Sequence, residues 1–233
     1  MSGPQEFHEF GLDHLLTLGA IAALGALIAL AGRHRPQRRS RWIGRVLAAV
    51  LLSYVAVVYV QKGLAHELSW DYALPLELCH FVMFACAIAL LRPSPLAFEV
   101  TYFLGLAGTL QATLTPDIGR GFPSWEFILF FWSHGAVLLA VVFLIACPRM
   151  KPRRGSVLRM FAFVNLYALA VGGIDALFGW NYGYLCGKPT HPSLLDYLGP
   201  WPWYLVSLEF VALANFLLLA LPWQLKKQMT NDE

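Results

Sequence analysis

The chain has 233 residues, of which 58% are hydrophobic and only 13% are charged, whereas soluble domains average about 25% charged residues. Apolar segments of about 20 residues, enough to cross ~30 Å of hydrocarbon, recur along nearly the whole chain, so no soluble domain fits between them. The composition therefore predicts an integral membrane protein. The net charge of +3 gives no reason to expect a nucleic-acid partner, because membrane topology accounts for the basic residues.

Seven apolar segments predict an all-α bundle of seven transmembrane helices in a single membrane domain, residues 1–233. The first segment follows Glu6, Glu9 and Asp13 without a basic residue. It is also too long for the core of a signal peptide, so we expect a retained span. The predicted spans are 12–32, 43–61, 76–91, 97–115, 125–147, 157–179 and 201–223.

Lysine and arginine are distributed unevenly between the two sides of these spans. The connections after spans one, three and five, together with the C-terminal tail, hold 14 of the 17 basic residues. These are Arg33, Arg35, Arg38, Arg39, Arg41, Arg45, Arg92, Arg149, Lys151, Arg153, Arg154, Arg159, Lys226 and Lys227. Because basic residues concentrate in cytoplasmic loops, we predict an N-terminus outside and a C-terminus in the cytoplasm, in the cell (inner) membrane.

The third span opens with the segment Leu74-Pro75-Leu76-Glu77-Leu78-Cys79-His80. Pro75 suits the first turn of a helix, where its missing N–H would have had no partner. On a helix Glu77 and His80 lie three residues apart and share a face, whereas Cys79 is rotated about 200° from Glu77. The segment predicts a carboxylate and an imidazole that can meet, with a thiol on the neighbouring flank.

Other spans bring polar side chains to the same half of the bilayer. Thr113 and Asp175 lie near the outer surface, and a rise of 1.5 Å per residue places His134 and Glu209 about 14 and 12 Å deep. A charged or strongly polar group in hydrocarbon costs ~2.5–3.5 kcal/mol on insertion scales, so each is a functional candidate. Together these residues predict a polar chamber that opens outward.

Structural interpretations of the same residues remain open. Asp175 and Glu209 could be hydrogen-bonded contacts between helices. Cys79 could be a small apolar filler, or it could form a disulfide with Cys186 toward the oxidising face. The outer connection, residues 180–200, is rich in Gly, Pro and aromatic residues, which suits either an interfacial aromatic belt or a structured lid over the chamber.

Four segments carry a resemblance to a known family: residues 74–80, Phe130-Phe131-Trp132-Ser133-His134-Gly135, Asn181-Tyr182, and the segment 194–204 with its Gly-Pro-Trp-Pro-Trp sequence. In these segments the chain resembles the YwaF-type bacterial integral membrane proteins, from about Trp70 to Trp223. That family looks related to eukaryotic transmembrane proteins thought to be cysteine-dependent acyltransferases that remodel ether phospholipids. The resemblance implies that Cys79 and His134 are an active pair. Glu77 and His80 depart from the family pattern, which commonly has a neutral polar residue or His before the Leu-Cys pair and Ser after it.

These residues predict a lipid acyltransferase or lipase-like enzyme, and the resemblance implies a phospholipid acyltransferase. Cys79 would attack an acyl ester, His134 or His80 would carry the proton, and Asn181 or Thr113 could stabilise the oxyanion. The predicted substrate-binding residues are Glu77, Thr113, Asp175, Asn181 and Glu209. Membrane lipids are the expected partners, neither a metal nor another cofactor is expected, and the oligomeric state is open.

Two other functions remain as alternatives. A proton-coupled transporter, or a protein that binds a solute or lipid, could use the same cluster, with Glu209 and Asp175 as a proton relay. A zinc-dependent amidase could use His80, His134 and Asp175, but the chain lacks HExxH or another close spacing of ligands.

Overall fold

A computed structural model describes residues 6–32, 37–147, 149–189 and 194–229. Within these ranges the regular structure is helical, apart from one isolated antiparallel bridge between Glu6 and Arg120. The predicted all-α class is therefore confirmed for the described residues. Arg33 and Arg35, which entered the orientation argument, lie outside them.

Nine α-helices follow one another along the described residues. They are α1 (Leu12–Gly32), α2 (Gln37–Leu64), α3 (Trp70–Ala73), α4 (Leu78–Leu91), α5 (Pro95–Leu104), α6 (Leu110–Leu114), α7 (Trp125–Ala146), α8 (Ser156–Phe178) and α9 (Trp203–Met229). A π-helical turn (Gly105–Thr109) joins α5 to α6, and two 3₁₀ turns (Tyr182–Tyr184 and Leu194–Leu198) lie between α8 and α9.

A helix lies at each of the seven predicted positions. The second begins at Gln37, earlier than predicted, and the fourth is interrupted by the π-helical turn. The third begins at Leu78, so Pro75 and Glu77 precede it and the prediction that they lie inside a helix is wrong. Five helices, α1, α2, α7, α8 and α9, are long and apolar enough to cross a membrane. The count of seven spans and the orientation stay predictions.

Local sequence explains where several helices begin and end. Ser94 and Ser124 accept hydrogen bonds from the amides of Ala97 and Phe127, which caps α5 and α7. Pro95 occupies the first position of α5, where a missing N–H costs nothing.

The chain divides into two compact units. Unit 1 comprises the described residues of 1–68 and 82–150, and unit 2 those of 69–81 and 151–233. The boundary falls inside α4, between Phe81 and Val82.

Unit 1 is built around α7. Of the apolar stretch of α7, 56% is buried, against 11% for α1 and 22% for α2. Helices α1, α2, α5 and α6 and the π-helical turn all pack against α7. At Gly105 a side-chain carbon would lie 3.2 and 3.3 Å from methyl groups of Val137 and Val141, so glycine permits the close approach of this turn to α7.

Unit 2 pairs α8 with α9. Tyr167, Val171 and Tyr182 form a buried cluster against which Leu74, Leu76 and Leu78 pack. The cluster attaches the segment that precedes α4 to α8 and to the loop after it. This arrangement determines where Cys79 lies within unit 2.

Candidate functional site

The segment that leads into Cys79 is held by two tyrosine hydroxyls. Tyr167 donates to the carbonyl oxygen of Leu76 at 2.7 Å. The hydroxyl of Tyr182 donates to the carbonyl of Trp70 at 2.9 Å and accepts from the amide of Leu74 at 3.2 Å. Both tyrosines are buried, so these bonds are protected from solvent and fix the backbone just before the helix.

Glu77 is attached to the loop after α8. Its Oε2 accepts a hydrogen bond of 3.0 Å from the amide of Gly183. Gly183 has a φ of +62°, and a side-chain carbon there would lie 2.8 Å from the Tyr167 hydroxyl, so this position requires glycine. The prediction that Glu77 and His80 share a helical face is wrong, because Glu77 precedes the helix and its carboxylate binds the Gly183 amide.

Cys79 is the second residue of α4, and its side chain is exposed. The sulfur lies at the amino-terminal end of α4, beside its own amide and near the carboxylate of Glu77. A negative charge on Glu77 opposes formation of the thiolate, so replacing that carboxylate tests the reactivity of the thiol.

Cys186 is a second exposed thiol of unit 2. Both it and Cys79 are free in the structure, so the disulfide that the sequence allowed is not formed. Although its side chain is exposed, partial desolvation and then the charge of Asp175 raise the pKa of the Cys186 thiol. Cys186 is therefore mostly protonated at neutral pH.

Asp175 is buried near the end of α8. Its side chain is 1% exposed, and neither carboxylate oxygen makes a hydrogen bond of good geometry with the described residues. The amide of Tyr182 lies beside it, and its charge reaches Glu77 and Cys186. Unsatisfied buried polar groups are rare in native proteins and often mark a bound molecule or a proton.

Asn181 organises the loop after α8. Its Oδ1 accepts from the amide of Cys186 at 2.9 Å, and its Nδ2 donates to the carbonyl of Gly187 at 3.0 Å. The amide nitrogen carries two N–H donors, and the bond to Gly187 uses one of them. The predicted role of Asn181 remains untested.

The start of α9 is bonded to the same loop. Trp201 donates from Nε1 to the carbonyl of Leu185 at 3.1 Å, and the hydroxyl of Tyr204 donates to the carbonyl of Tyr184. Lys188 and Asp196 form an ion pair at 3.4 Å. These bonds favour a structured loop over a loose aromatic belt, although its function as a lid stays a prediction.

Glu209 connects two helices of unit 2. Its Oε2 accepts a hydrogen bond of 2.9 Å from Nδ2 of Asn165. The bond joins α9 to α8 and supports the interpretation of Glu209 as a contact between helices. Its predicted part in substrate binding stays a prediction.

His134 belongs to unit 1. Its Nδ1 lies 2.8 Å from the carbonyl oxygen of Phe130. A carbonyl can only accept, so Nδ1 carries the proton and Nε2 carries the lone pair. The Phe130 ring stacks on the imidazole at 4.1 Å. The bond to Phe130 thus favours the tautomer that has its proton on Nδ1.

Thr113 also lies in unit 1 and is fully buried. Its hydroxyl donates to the carbonyl of Thr109 at 2.6 Å. Its own carbonyl accepts a hydrogen bond of 3.0 Å from Nε2 of His14. These bonds give Thr113 a structural role in unit 1, and its predicted contact with substrate is not tested.

His14 is a buried titratable residue that the sequence argument missed. Nδ1 accepts from the amide of Phe10 at 3.0 Å, and the rings of Phe7 and Phe131 lie against the imidazole. A lone histidine two residues into an apolar span, with phenylalanines before it, was the available signal. This signal was weak because Thr113, the buried partner of His14, is 99 positions away in the sequence.

In the part of the chain that the structure describes, no group of three His, Cys, Asp or Glu residues is placed so that it could hold a metal ion. The zinc-amidase alternative therefore gains no support from these residues.

A sequence profile of the TMEM164 family matches residues 9–220. This chain belongs to the TMEM164 family. The match covers every candidate residue above, from His14 to Glu209, and together with the five long apolar helices it makes this TMEM164-family chain a multi-pass membrane protein. No curated protein and no solved structure matches the chain significantly. The resemblance to YwaF-type proteins remains a prediction.

Proposed function

We propose that this TMEM164-family chain is a phospholipid acyltransferase of the cell (inner) membrane that passes an acyl chain through a thioester on Cys79. The observation that carries the proposal is the exposed thiol at the start of α4, on a backbone held by Tyr167, Tyr182 and Glu77. A nucleophile needs both exposure and a rigid support. The resemblance to cysteine-dependent acyltransferases points to the same residue.

The chemistry balances with one thiol and one imidazole. The imidazole takes the proton of Cys79, the sulfur attacks the ester carbonyl carbon of a donor phospholipid, and the tetrahedral intermediate collapses. The lysolipid alkoxide then leaves with the proton of the imidazolium. The hydroxyl of an acceptor lipid then gives its proton to the imidazole and attacks the thioester, which releases the thiolate. Of the backbone amides that open α4, those of His80 and Phe81 donate to the carbonyl of Glu77. The candidate donors to the oxyanion are therefore the amides of Leu78 and Cys79.

Two histidines are candidates for the base. His80 is adjacent to Cys79 in the chain, whereas the resemblance implies His134, whose tautomer presents the Nε2 lone pair. Replacing each by Gln separates them. The variant of the true base loses about 10²-fold or more in acyl-transfer rate, the usual range for a general base, and the other variant stays close to wild type.

Mass spectrometry of the intact and digested chain tests the nucleophile. The protein is reconstituted with a phospholipid carrying an isotope-labelled acyl chain, and a labelled, hydroxylamine-sensitive adduct is expected on Cys79. Cys79→Ser should lack the thioester, whereas the matched Cys186→Ser variant should keep it. An adduct that forms equally in Cys79→Ser, or no adduct with any phospholipid, would refute the proposal.

A proton-coupled transporter is the second candidate, and Asp175 is the observation that favours it. A buried carboxylate that makes no hydrogen bond of good geometry with the described residues, near a second carboxylate at Glu77, is typical of groups that take up and release protons in membranes. Solute-driven proton flux into liposomes distinguishes the two functions. A transporter loses flux in Asp175→Asn and keeps it in Cys79→Ser, whereas an acyltransferase shows no such flux.

A further inference from the structure

A second site lies at the opposite end of α8 from Asp175. A cavity of about 550 Å³ opens between the start of α8 and the last turns of α9. Arg153, Arg154 and Ser156 line one side, and Leu217, Ala220 and Trp223 line the other. Because 19 residues separate Ser156 from Asp175 along one helix, the two sites are about 29 Å apart at 1.5 Å per residue.

The polar side of the cavity is strongly basic. The stretch 149–159 contains five basic residues and no acidic one, and none of the described residues that line the cavity is acidic. Arg153 and Arg154 are both exposed. Nη2 of Arg159 donates to the carbonyl of Arg154 at 3.2 Å, which helps to hold the loop in place. Two adjacent guanidinium groups at a cavity mouth suit a phosphate.

Membrane topology alone would explain the charges but not the cavity. Basic residues in a short loop are expected wherever that loop is cytoplasmic. Basic loop residues do not require an apolar cavity beside them. The apolar side of this cavity is formed by Leu217, Ala220 and Trp223, and Leu217 is 50% exposed. The cavity therefore combines a basic entrance with an apolar surface that a hydrocarbon chain can contact.

We propose that this cavity binds the headgroup of an anionic glycerophospholipid, with its phosphate at Arg153 and Arg154 and an acyl chain along Leu217 and Trp223. Basic pockets between helices at the cytoplasmic face are a common form of lipid recognition. The inference is independent of the acyl-transfer proposal, because it uses neither Cys79 nor any residue near it.

Native mass spectrometry of the full chain in phosphatidylcholine nanodiscs, with added phosphatidylglycerol as the probe, tests the site. Each basic residue near an anionic lipid surface contributes to the binding free energy. Losing two of them in the Arg153→Gln/Arg154→Gln variant should weaken phosphatidylglycerol binding about 30-fold. The Arg153→Lys/Arg154→Lys variant keeps the charge but loses the planar guanidinium groups, so its binding should fall between that of wild type and that of the Gln/Gln variant. Arg92→Gln, a basic residue of another loop, should behave as wild type.

A second comparison separates a lipid from a free anion. Leu217→Asn should weaken phosphatidylglycerol binding without changing the effect of inorganic phosphate, because only the lipid contacts the apolar wall. Equal binding by the Gln/Gln variant and wild type would overturn the proposal. Full displacement of the lipid by inorganic phosphate at the same concentration would also overturn it, since the site would then recognise phosphate alone.

Discussion

His14 in unit 1 and Asp175 in unit 2 are equally buried polar residues, with exposed fractions of 0% and 1%. His14 uses both ring nitrogens, one toward the amide of Phe10 and one toward the carbonyl of Thr113. Neither oxygen of Asp175 has a comparable bond among the described residues. Burial alone therefore does not identify a functional residue, and the difference in hydrogen bonding makes His14 structural and Asp175 a candidate for binding or proton transfer.

The largest loss of stability should come from replacing His14, whose two ring nitrogens are both hydrogen-bonded. His14→Leu removes the partner of the buried Thr113 carbonyl, at about 1–3 kcal/mol, and that of the part-buried Phe10 amide, at about 1 kcal/mol. We expect the free energy of unfolding in detergent to fall by about 2–5 kcal/mol. Replacing the exposed His8 by Leu should change the free energy of unfolding little. Equal stability of the two variants would show that the hydrogen bonds of His14 do not stabilise the fold.

Gly183→Ala should have the next largest effect. Alanine would be strained at a φ of +62° and its side-chain carbon would meet the Tyr167 hydroxyl at 2.8 Å, which costs about 1–3 kcal/mol of unfolding free energy. The Tyr167–Leu76 and Glu77–Gly183 bonds would shift with it, so alkylation of Cys79 should change as well. Gly173→Ala, in open space on α8, is the control. A Gly183→Ala protein as stable as wild type would contradict the claim that position 183 requires glycine.

Glu77→Gln should make Cys79 more reactive. Gln can still accept from the Gly183 amide, but it removes a negative charge beside the sulfur. Unit charges 4 Å apart in a water-like medium interact by about 1 kcal/mol, so we expect about fivefold faster alkylation at neutral pH, measured by mass spectrometry. Glu67→Gln serves as the control. An unchanged rate would mean that Glu77 is already neutral.

Asp175→Asn should have the smallest effect on stability, within about 0.5 kcal/mol, because no hydrogen bond of good geometry is lost. Its effect should appear in the titration of Cys186. Partial desolvation and Asp175 raise the pKa of that thiol, so alkylation of the wild type should need a higher pH than a free cysteine peptide. Removing the carboxylate should move the alkylation curve to lower pH, whereas Asp196→Asn should leave it in place.

The sequence by itself determined the class of the protein, because crossing a membrane requires length and hydropathy, and both are local properties of a segment. It placed a helix at each of seven positions and singled out Cys79, Asp175 and His134 by residue type and depth.

Only the tertiary structure decided which polar groups are satisfied. Glu77 binds the amide of Gly183, Glu209 binds Asn165, and His14 binds Thr113, and these partners are separated by 106, 44 and 99 positions. The hydrophobic pattern repeats every few residues and carries no information about such distant pairs. The direction of the Glu77 carboxylate and the structural role of His14 follow from packing between helices, which no single segment encodes.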